Sequence, residues 1–310
     1  MNKVWVIISF LTVGLAVNAG TVAYWQFEEG PAGAAVSHDG AANGAYYQGT
    51  ADSSGNGYGL SVFAEGWAGY AYNSSVAAPT FGGHANNFSV KNTGGYPAMF
   101  TSTTHGINNI QPVSFTIEAS FKLENGGYRT IVGRDSRGTA TVNGDLAALY
   151  FQAMPDNVLA IKFCDVSGIW HEAISASNVF SSFDYPTNPD GNGVPWYSMA
   201  GVSDGSTLSL YLRDVTAQGA WQLLAQTDMT LSGSINTALT MGTGTGGDWN
   251  AGDWSVGRGL YAGGHGDRAY GFIDEVRISD VALSTSEFLV PEPVTLTLLG
   301  LGGLLLRRKR

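Results

Sequence analysis

The run YGFIDEVRIS, residues 270–279, decides how this chain folds. Its aromatic and β-branched residues alternate with polar ones, and it holds no proline, which is the pattern of a half-buried β-strand. Strict alternation places Phe272, Asp274, Val276 and Ile278 on one face and Ile273, Glu275 and Arg277 on the other. An aspartate on an otherwise apolar face needs compensation, from backbone donors at a strand end or from a cation. The same texture extends outward over residues 21–288, where runs such as TVAYWQF, SFTIEASFKL, LAALYFQ, VLAIKF and TLSLYLR are separated by clusters of Gly, Asn, Asp and Ser. In WQF, Trp25 and Phe27 share a face and both rings are expected in the core. In VSDGSTLSLYLRD, Asp204-Gly205 marks a tight turn, and Leu208, Leu210 and Leu212 alternate with Ser209, Tyr211 and Arg213, so that one face is apolar and the other wet. Many short strands, few helix signals and regularly spaced turns predict an all-β, two-sheet antiparallel sandwich. Residues 181–195, SSFDYPTNPDGNGVP, are expected to form a long loop across it.

Composition agrees with an extracellular β protein. Charged residues make up 13% of the 310, and Gly alone contributes 43, so Ser, Thr, Asn and Gly fill the surface positions. The formal net charge is −10. Setting aside Glu292, Lys3 and the four terminal cations takes 25 acids and 15 bases to 24 and 10, a net charge near −14 for the body. Nucleic acid and anionic membrane surfaces are poor partners for such a charge. The single cysteine, Cys164, lies in an apolar run and reads as a buried strand residue, so no disulfide framework is expected.

Both ends read as addresses. Residues 1–19 carry one early cation, Lys3, then an apolar run and small residues before Gly20, the form of a signal helix cut after Ala19. An uncleaved anchor is the alternative. The other end, VPEPVTLTLLGLGGLLLRRKR, has 13 uncharged residues from Val294 to Leu306, spanning about 20 Å as a hydrophobic helix. Arg307, Arg308, Lys309 and Arg310 would hold its end on the cytoplasmic side and leave the body outside. Pro291, Glu292 and Pro293, followed by a Leu/Gly helix and an Arg-rich end, resemble the PEP-CTERM sorting signal. That resemblance implies residues 290–310 as a sorting and membrane segment, an exosortase-type processing enzyme as partner, and transient attachment to the inner membrane before release at the cell surface. A permanent tail anchor is the alternative.

The body also resembles a known family. VAYWQFEEG, ADSSGNG, SFTIEASFKL with RTIVGRD, and YGFIDEVRISDVALSTSEF fall in the order seen in LamG-like jelly rolls of the concanavalin A-like lectin/glucanase superfamily. The resemblance implies one jelly-roll domain over residues 21–288. It also implies a structural calcium between the first and last strands, for which Asp274, Glu28, Asp52 and Asn56 are the candidates. Asp52 and Asn56 are equally suited to building a turn.

Three functions compete on such a fold. A carbohydrate-binding module is favoured by aromatic residues in loop-like settings, with Trp249, Trp254 and Trp67 leading, Tyr70 and Asp253 beside them and Trp170-His171 and Trp196-Tyr197 as further clusters, and with an extracellular polysaccharide as ligand. A structural matrix protein without a small ligand fits the same sequence. A glycoside hydrolase fits it least. Retaining hydrolysis needs two carboxyls about 5 to 5.5 Å apart, whereas Glu118 and Glu124 share a strand face about 20 Å apart. The five histidines show no ligand spacing. The chain is therefore not expected to be an enzyme.

Overall fold

The alternating runs pair into sheets in a computed structural model of the chain. It describes residues 20–36, 47–63, 69–81, 83–95, 97–101, 104–124, 126–137, 147–246, 249–261 and 264–290. The expected signal segment, and all of the expected sorting segment except Val290, lie outside the described residues. Among the described residues no helix is long and apolar enough to cross a membrane.

Twenty strands are described. The first five are β1 (Thr21–Trp25), β2 (Tyr47–Thr50), β3 (Leu60–Phe63), β4 (Tyr70–Asn73) and β5 (Thr80–Phe81). Then come β6 (His84–Ala85), β7 (Ser89–Asn92), β8 (Ala98–Thr101), β9 (Phe115–Leu123) and β10 (Arg129–Arg134). The second half opens with β11 (Leu149–Met154), β12 (Val158–Cys164), β13 (Trp170–Ile174), β14 (Tyr197–Ser203) and β15 (Thr207–Asp214). It closes with β16 (Gln222–Asp228), β17 (Trp254–Val256), β18 (Gly259–Tyr261), β19 (Gly264–Gly266) and β20 (Gly271–Ser279).

Two antiparallel eight-stranded sheets form an all-β sandwich. The first runs β16-β15-β14-β9-β20-β7-β4, with β1 also on β20, and the second runs β13-β12-β11-β10-β17-β8-β3-β2. Hairpins β18-β19 and β5-β6 stand apart. Alternation in β9 sends Phe115, Ile117, Ala119, Phe121 and Leu123 into the core, where they meet Leu159, Ile161 and Phe163 of β12. Phe115 and Phe163 touch edge to face across the sheets, ring centroids 5.2 Å apart. Each such buried side chain contributes about 1.5–3 kcal/mol. Trp25 and Phe27 are in this core, as alternation predicts. The turn at Asp204-Gly205 joins β14 to β15, with Asp204 Oδ1 accepting from Ser206 N and Thr207 N at 2.8 and 2.7 Å.

The opening run departs from strict alternation. Asp274 pairs with Ser120 of β9, but Arg277 pairs with Glu118, so Glu275 and Val276 together oppose Ala119 in a β-bulge. Glu275 takes φ 53, in the left-handed region. The bulge lies where the other neighbour of β20 changes, from β7 at Phe272 and Ile273 to β1 at Val276 to Ser279. The face grouping read from the sequence is corrected accordingly: Ile273, Val276 and Ile278 enter the core, whereas Phe272 joins a second cluster with Phe183 and Trp196.

The outer face of the first sheet is covered, which makes polar partners necessary there. Residues 181–195 cross it as expected, tied by Lys91 Nζ to Asp190 Oδ1 at 2.6 Å. Residues 281–290 cover the rest, so the Tyr211 and Arg213 face of β15 expected to be wet is packed instead, Tyr211 against Phe288 and Trp221. Glu118 and Arg277 form a buried ion pair, Arg277 Nε donating to Glu118 Oε2 at 2.6 Å. Leu289 N donates to Glu118 Oε1 at 2.7 Å. Arg213 Nη1 and Trp221 Nε1 both donate to the Val290 carbonyl at 2.8 Å, clamping the end of the described chain.

Candidate functional site

The outer face of the second sheet carries a cleft over β11, β12 and β13. In LYFQAM, Leu149, Phe151 and Ala153 point into the core, which turns Tyr150 and Gln152 outward. The same alternation turns Lys162 outward between Ile161 and Phe163, and Trp170 and Glu172 outward around His171. Register then aligns Tyr150, Lys162 and Glu172 in one row across three strands. Hairpin β18-β19 lies alongside, and Tyr150 Oη fixes it by donating to the Leu260 carbonyl at 2.6 Å. The cleft between these parts measures about 610 Å³, and Tyr128, Gln152, Tyr261 and Asp267 complete its lining.

Its walls combine ring faces with a few polar groups. Trp170 stacks on Tyr150, with centroids 6.0 Å apart and planes 23° from parallel. Tyr128 and Tyr261 are 46% and 61% exposed at the rim. Trp170 Nε1 is buried without an acceptor among the described residues. Lys162 Nζ stands 3.5 Å from Glu172 Oε1. Burial raises the Asp267 carboxyl above the ordinary carboxylate range, against the opposing pull of Arg129 and Arg268.

Trp170 apart, the aromatics singled out in the sequence are elsewhere. Trp254 and Tyr70 belong to the main core, Trp254 in β17 between β10 and β8. Trp249 packs in a small buried cluster with Tyr150 and Leu260. Asp253 is buried too, accepting from Asn108 Nδ2 at 2.7 Å and from Asn250 N at 2.8 Å. All four are buried and offer no free face to a sugar, Trp254 because it opens strand β17. Trp67 lies outside the described residues.

The four calcium candidates divide. Asp52 caps its own turn, Oδ1 accepting from Tyr24 N and Ser54 N and Oδ2 from Tyr58 N, each at 2.9 Å. Asn56 Nδ2 donates to the Val22 carbonyl at 2.9 Å. Glu28 accepts from Asn87 N and Nδ2 and from Phe88 N, at 2.8 to 2.9 Å. These three are taken up in holding the β1 end, and among the described residues no group of three or more His, Cys, Asp or Glu could hold a metal ion. Asp274 differs. Its Oδ2 accepts from Ala77 N at 3.1 Å and Asn86 Nδ2 at 2.9 Å. Its Oδ1 and the Asn86 Oδ1 are buried without donors. The adjacent Glu275 accepts from Tyr24 Oη and from His84 Nε2, the latter at 2.8 Å. Burial raises both carboxyls, the Glu28 charge raises both further, and the Glu275 charge adds to the rise of Asp274. Phe27 at φ 61 and Glu275 at φ 53 are strained non-glycine positions flanking this cluster.

Neither a protein-family model nor a curated protein sequence matches the chain. Solved structures do resemble it. The binding domain of botulinum neurotoxin serotype C1 aligns with a TM-score of 0.47 at 10% identity, over 86% of this chain and 50% of that one. The CBM40 domain of a Ruminococcus gnavus sialidase aligns at 0.41 and 13% identity, over 61% of this chain and 87% of that one. The leech intramolecular trans-sialidase gives 0.41 and 17%, over 59% and 23%. The chain thus spans half the length of the botulinum domain it matches. At these scores the likenesses carry no argument about activity.

Proposed function

We propose that the sandwich is a glycan-binding module whose ligand lies in the cleft of Tyr128, Tyr150, Trp170 and Tyr261. The observation that carries this reading is the stacked Trp170–Tyr150 pair beside two exposed tyrosines and the polar groups of Gln152, Lys162 and Glu172. Ring faces pack on sugar C–H faces while a few polar groups orient hydroxyls, and a cleft of this size is typical for such a ligand. The module binds an extracellular polysaccharide without cleaving it. Affinity electrophoresis in soluble polysaccharides tests this. Wild type is expected to be retarded, Trp170→Ala and Tyr261→Ala to migrate freely, and the polysaccharide to stay uncleaved. Retardation that survives both substitutions would place the ligand elsewhere, and no retardation in any polysaccharide would leave a structural matrix role.

The same chain is read as exported and sorted by an exosortase-type enzyme, on the strength of Pro291-Glu292-Pro293, the apolar run and the cations from Arg307 to Arg310. Alanines at those three positions should change its cellular location while the melting temperature of the body stays the same. Unchanged fractionation would end this reading.

A structural calcium is retained with a revised set of holders. Asp274 and Asn86 would hold it through their two donor-free oxygens, with further oxygens from backbone carbonyls, since calcium takes six to eight. Bound there it would neutralise charge between the end of β1 and β20. Glu28, Asp52 and Asn56 would act by shaping the β1 turn.

A further inference from the structure

We propose that the cleft takes neutral glycans in preference to acidic ones, and that Glu172 sets this preference by occupying Lys162. The proposal rests on the glycan-binding reading above and adds to it the chemical class of ligand. Carboxylate-bearing sugars such as uronic and sialic acids are held by arginine forks or unengaged lysines, because an ionised group must exchange its water for charge-assisted hydrogen bonds. Among the described residues the cleft lining contains no arginine and a single cation, Lys162, against two carboxylates, Glu172 and Asp267. Lys162 and Glu172 occupy directly paired positions on β12 and β13. The strand register itself therefore brings Glu172 to the lysine, and their side chains meet at 3.5 Å. Glu172 is further fixed at its backbone, whose carbonyl accepts from Thr227 Oγ1 of β16 at 2.6 Å.

The cations behind the cleft do not reverse its sign. Arg129 acts on Asp267, but its Nη2 is already bonded to Glu124 Oε1 at 2.7 Å and its guanidinium lies over the Tyr270 ring. Arg268 likewise serves Asp267. The chain as a whole carries −10, so its long-range field also repels anions. What remains for a ligand is apolar ring surface and neutral hydrogen bonding. Trp170, Tyr128 and Tyr261 supply the first, and the tyrosine hydroxyls with the Gln152 amide N–H, its Oε1 already accepting from Thr130 Oγ1 at 3.2 Å, supply the second. That combination suits hexose or pentose units without charge.

The test is isothermal titration of the full chain in micelles of an uncharged polyoxyethylene detergent, which has no sugar headgroup. Cellohexaose, xylohexaose and mannohexaose are the neutral probes. Hexagalacturonate is the acidic probe, and lactose with 3′-sialyllactose forms a matched pair. Wild type is expected to bind at least one neutral hexasaccharide about tenfold or more tightly than hexagalacturonate at low salt. Glu172→Gln should raise the affinity for hexagalacturonate, taken relative to that for the tightest-binding neutral hexasaccharide, about threefold or more. Lys162→Gln added to that variant should cancel the gain. A merely structural role for Glu172 would move both probes together, so the ratio is the deciding readout. The proposal is overturned if wild type binds hexagalacturonate or sialyllactose as tightly as their neutral counterparts, or if Glu172→Gln leaves the ratio unchanged; glycan binding would survive either result. If no probe binds, the glycan reading falls and takes this inference with it.

Discussion

Replacing Arg277 by methionine strands a carboxylate inside the sandwich. Glu118 and Arg277 are 3% and 6% exposed, and the arginine supplies Glu118 Oε2 with both Nε and Nη2 while donating to the Glu287 carbonyl at 2.8 Å. Without it Glu118 retains one donor, Leu289 N. Breaking a buried pair from one side costs about 3–5 kcal/mol. At about 2–4 °C per kcal/mol for a domain of this size, the melting temperature should fall by about 6–20 °C. The loss depends on pH in a definite direction. Burial already raises the Glu118 carboxyl although Arg277 opposes it, and the variant removes that opposition. A carboxyl whose folded value lies above its unfolded one contributes stability at low pH and loses it as pH rises through the folded value. The deficit of Arg277→Met should therefore be small near pH 4 and full near pH 8. Adding Glu118→Gln removes the stranded charge and keeps an acceptor for Leu289 N, so the double variant should recover most of the loss. Urea unfolding followed by circular dichroism at both pH values measures all of this. A single variant within about 1 kcal/mol of wild type near pH 8, or a double variant no better than the single one, would refute the reasoning, since an unpaired buried carboxylate cannot be that cheap.

Three further outcomes are expected. Gly257 has φ +79 and a Cβ there would stand 2.1 Å from Tyr70 Oη, so Gly257→Ala should lose about 2 kcal/mol or more in denaturant unfolding, and an unchanged midpoint would contradict the packing. Burial, with repulsion from Asp135, pushes the Asp253 carboxyl from 3.8 up to about 7. Its contribution, about 4 kcal/mol over that span, is present below the unfolded value and lost as pH rises through about 7. Asp253→Asn should flatten that part of the stability–pH curve, whereas parallel curves would remove Asp253 as the cause. Chelation should lower the melting temperature of wild type, with calcium at a hundredfold excess over Kd restoring about 2.7 kcal/mol. Asp274→Asn and Asn86→Ala should both lose this response, and identical wild-type melts in chelator and calcium would leave Asp274 as a hydrogen-bonded strand residue.

Alternation made the core legible in advance. The inward sides of β9 and β15, the rings of Trp25 and Phe27, the turn at Asp204-Gly205 and the loop over the sandwich all follow from period-two patterning and turn chemistry, which act over a few residues. The bulge at Glu275 does not. A glutamate at positive φ leaves no mark in composition, and the bulge arises where β20 changes neighbours between β7 and β1, segments about 180 to 250 residues away in sequence. The burial of Trp254 is hidden for a related reason: a Gly-rich, Asp-rich context resembles a loop, yet β17 is held between β10 and β8 by pairings distant in the chain, while Trp249 stays outside the strands and is buried by packing on Tyr150 and Leu260. The cleft residues Tyr150, Lys162 and Glu172 were within reach, because each alternates with core residues. Which outer face stays open, however, depends on where hairpin β18-β19 and residues 281–290 settle.

The clamp at Val290 has a mechanical consequence. Tension applied to the chain beyond that residue meets the hydrogen bonds from Arg213 and Trp221 to its carbonyl, then the Leu289 N bond to Glu118 and the Arg277 bond to the Glu287 carbonyl. Those anchors belong to β15, β9, the middle of β20 and the residue before β16, so force enters the first sheet sideways, shared among several strands, instead of peeling β20 from its end. Yielding of the clamp together with the bonds behind it, Arg277 Nη2 to the Glu287 carbonyl and Thr116 Oγ1 with Leu283 N and the Val281 carbonyl, would release ten residues, 281–290, a contour gain of about 35 Å. A force–extension trace would then show this short step well before the sandwich ruptures, which makes the segment a mechanical fuse between the tail and the body.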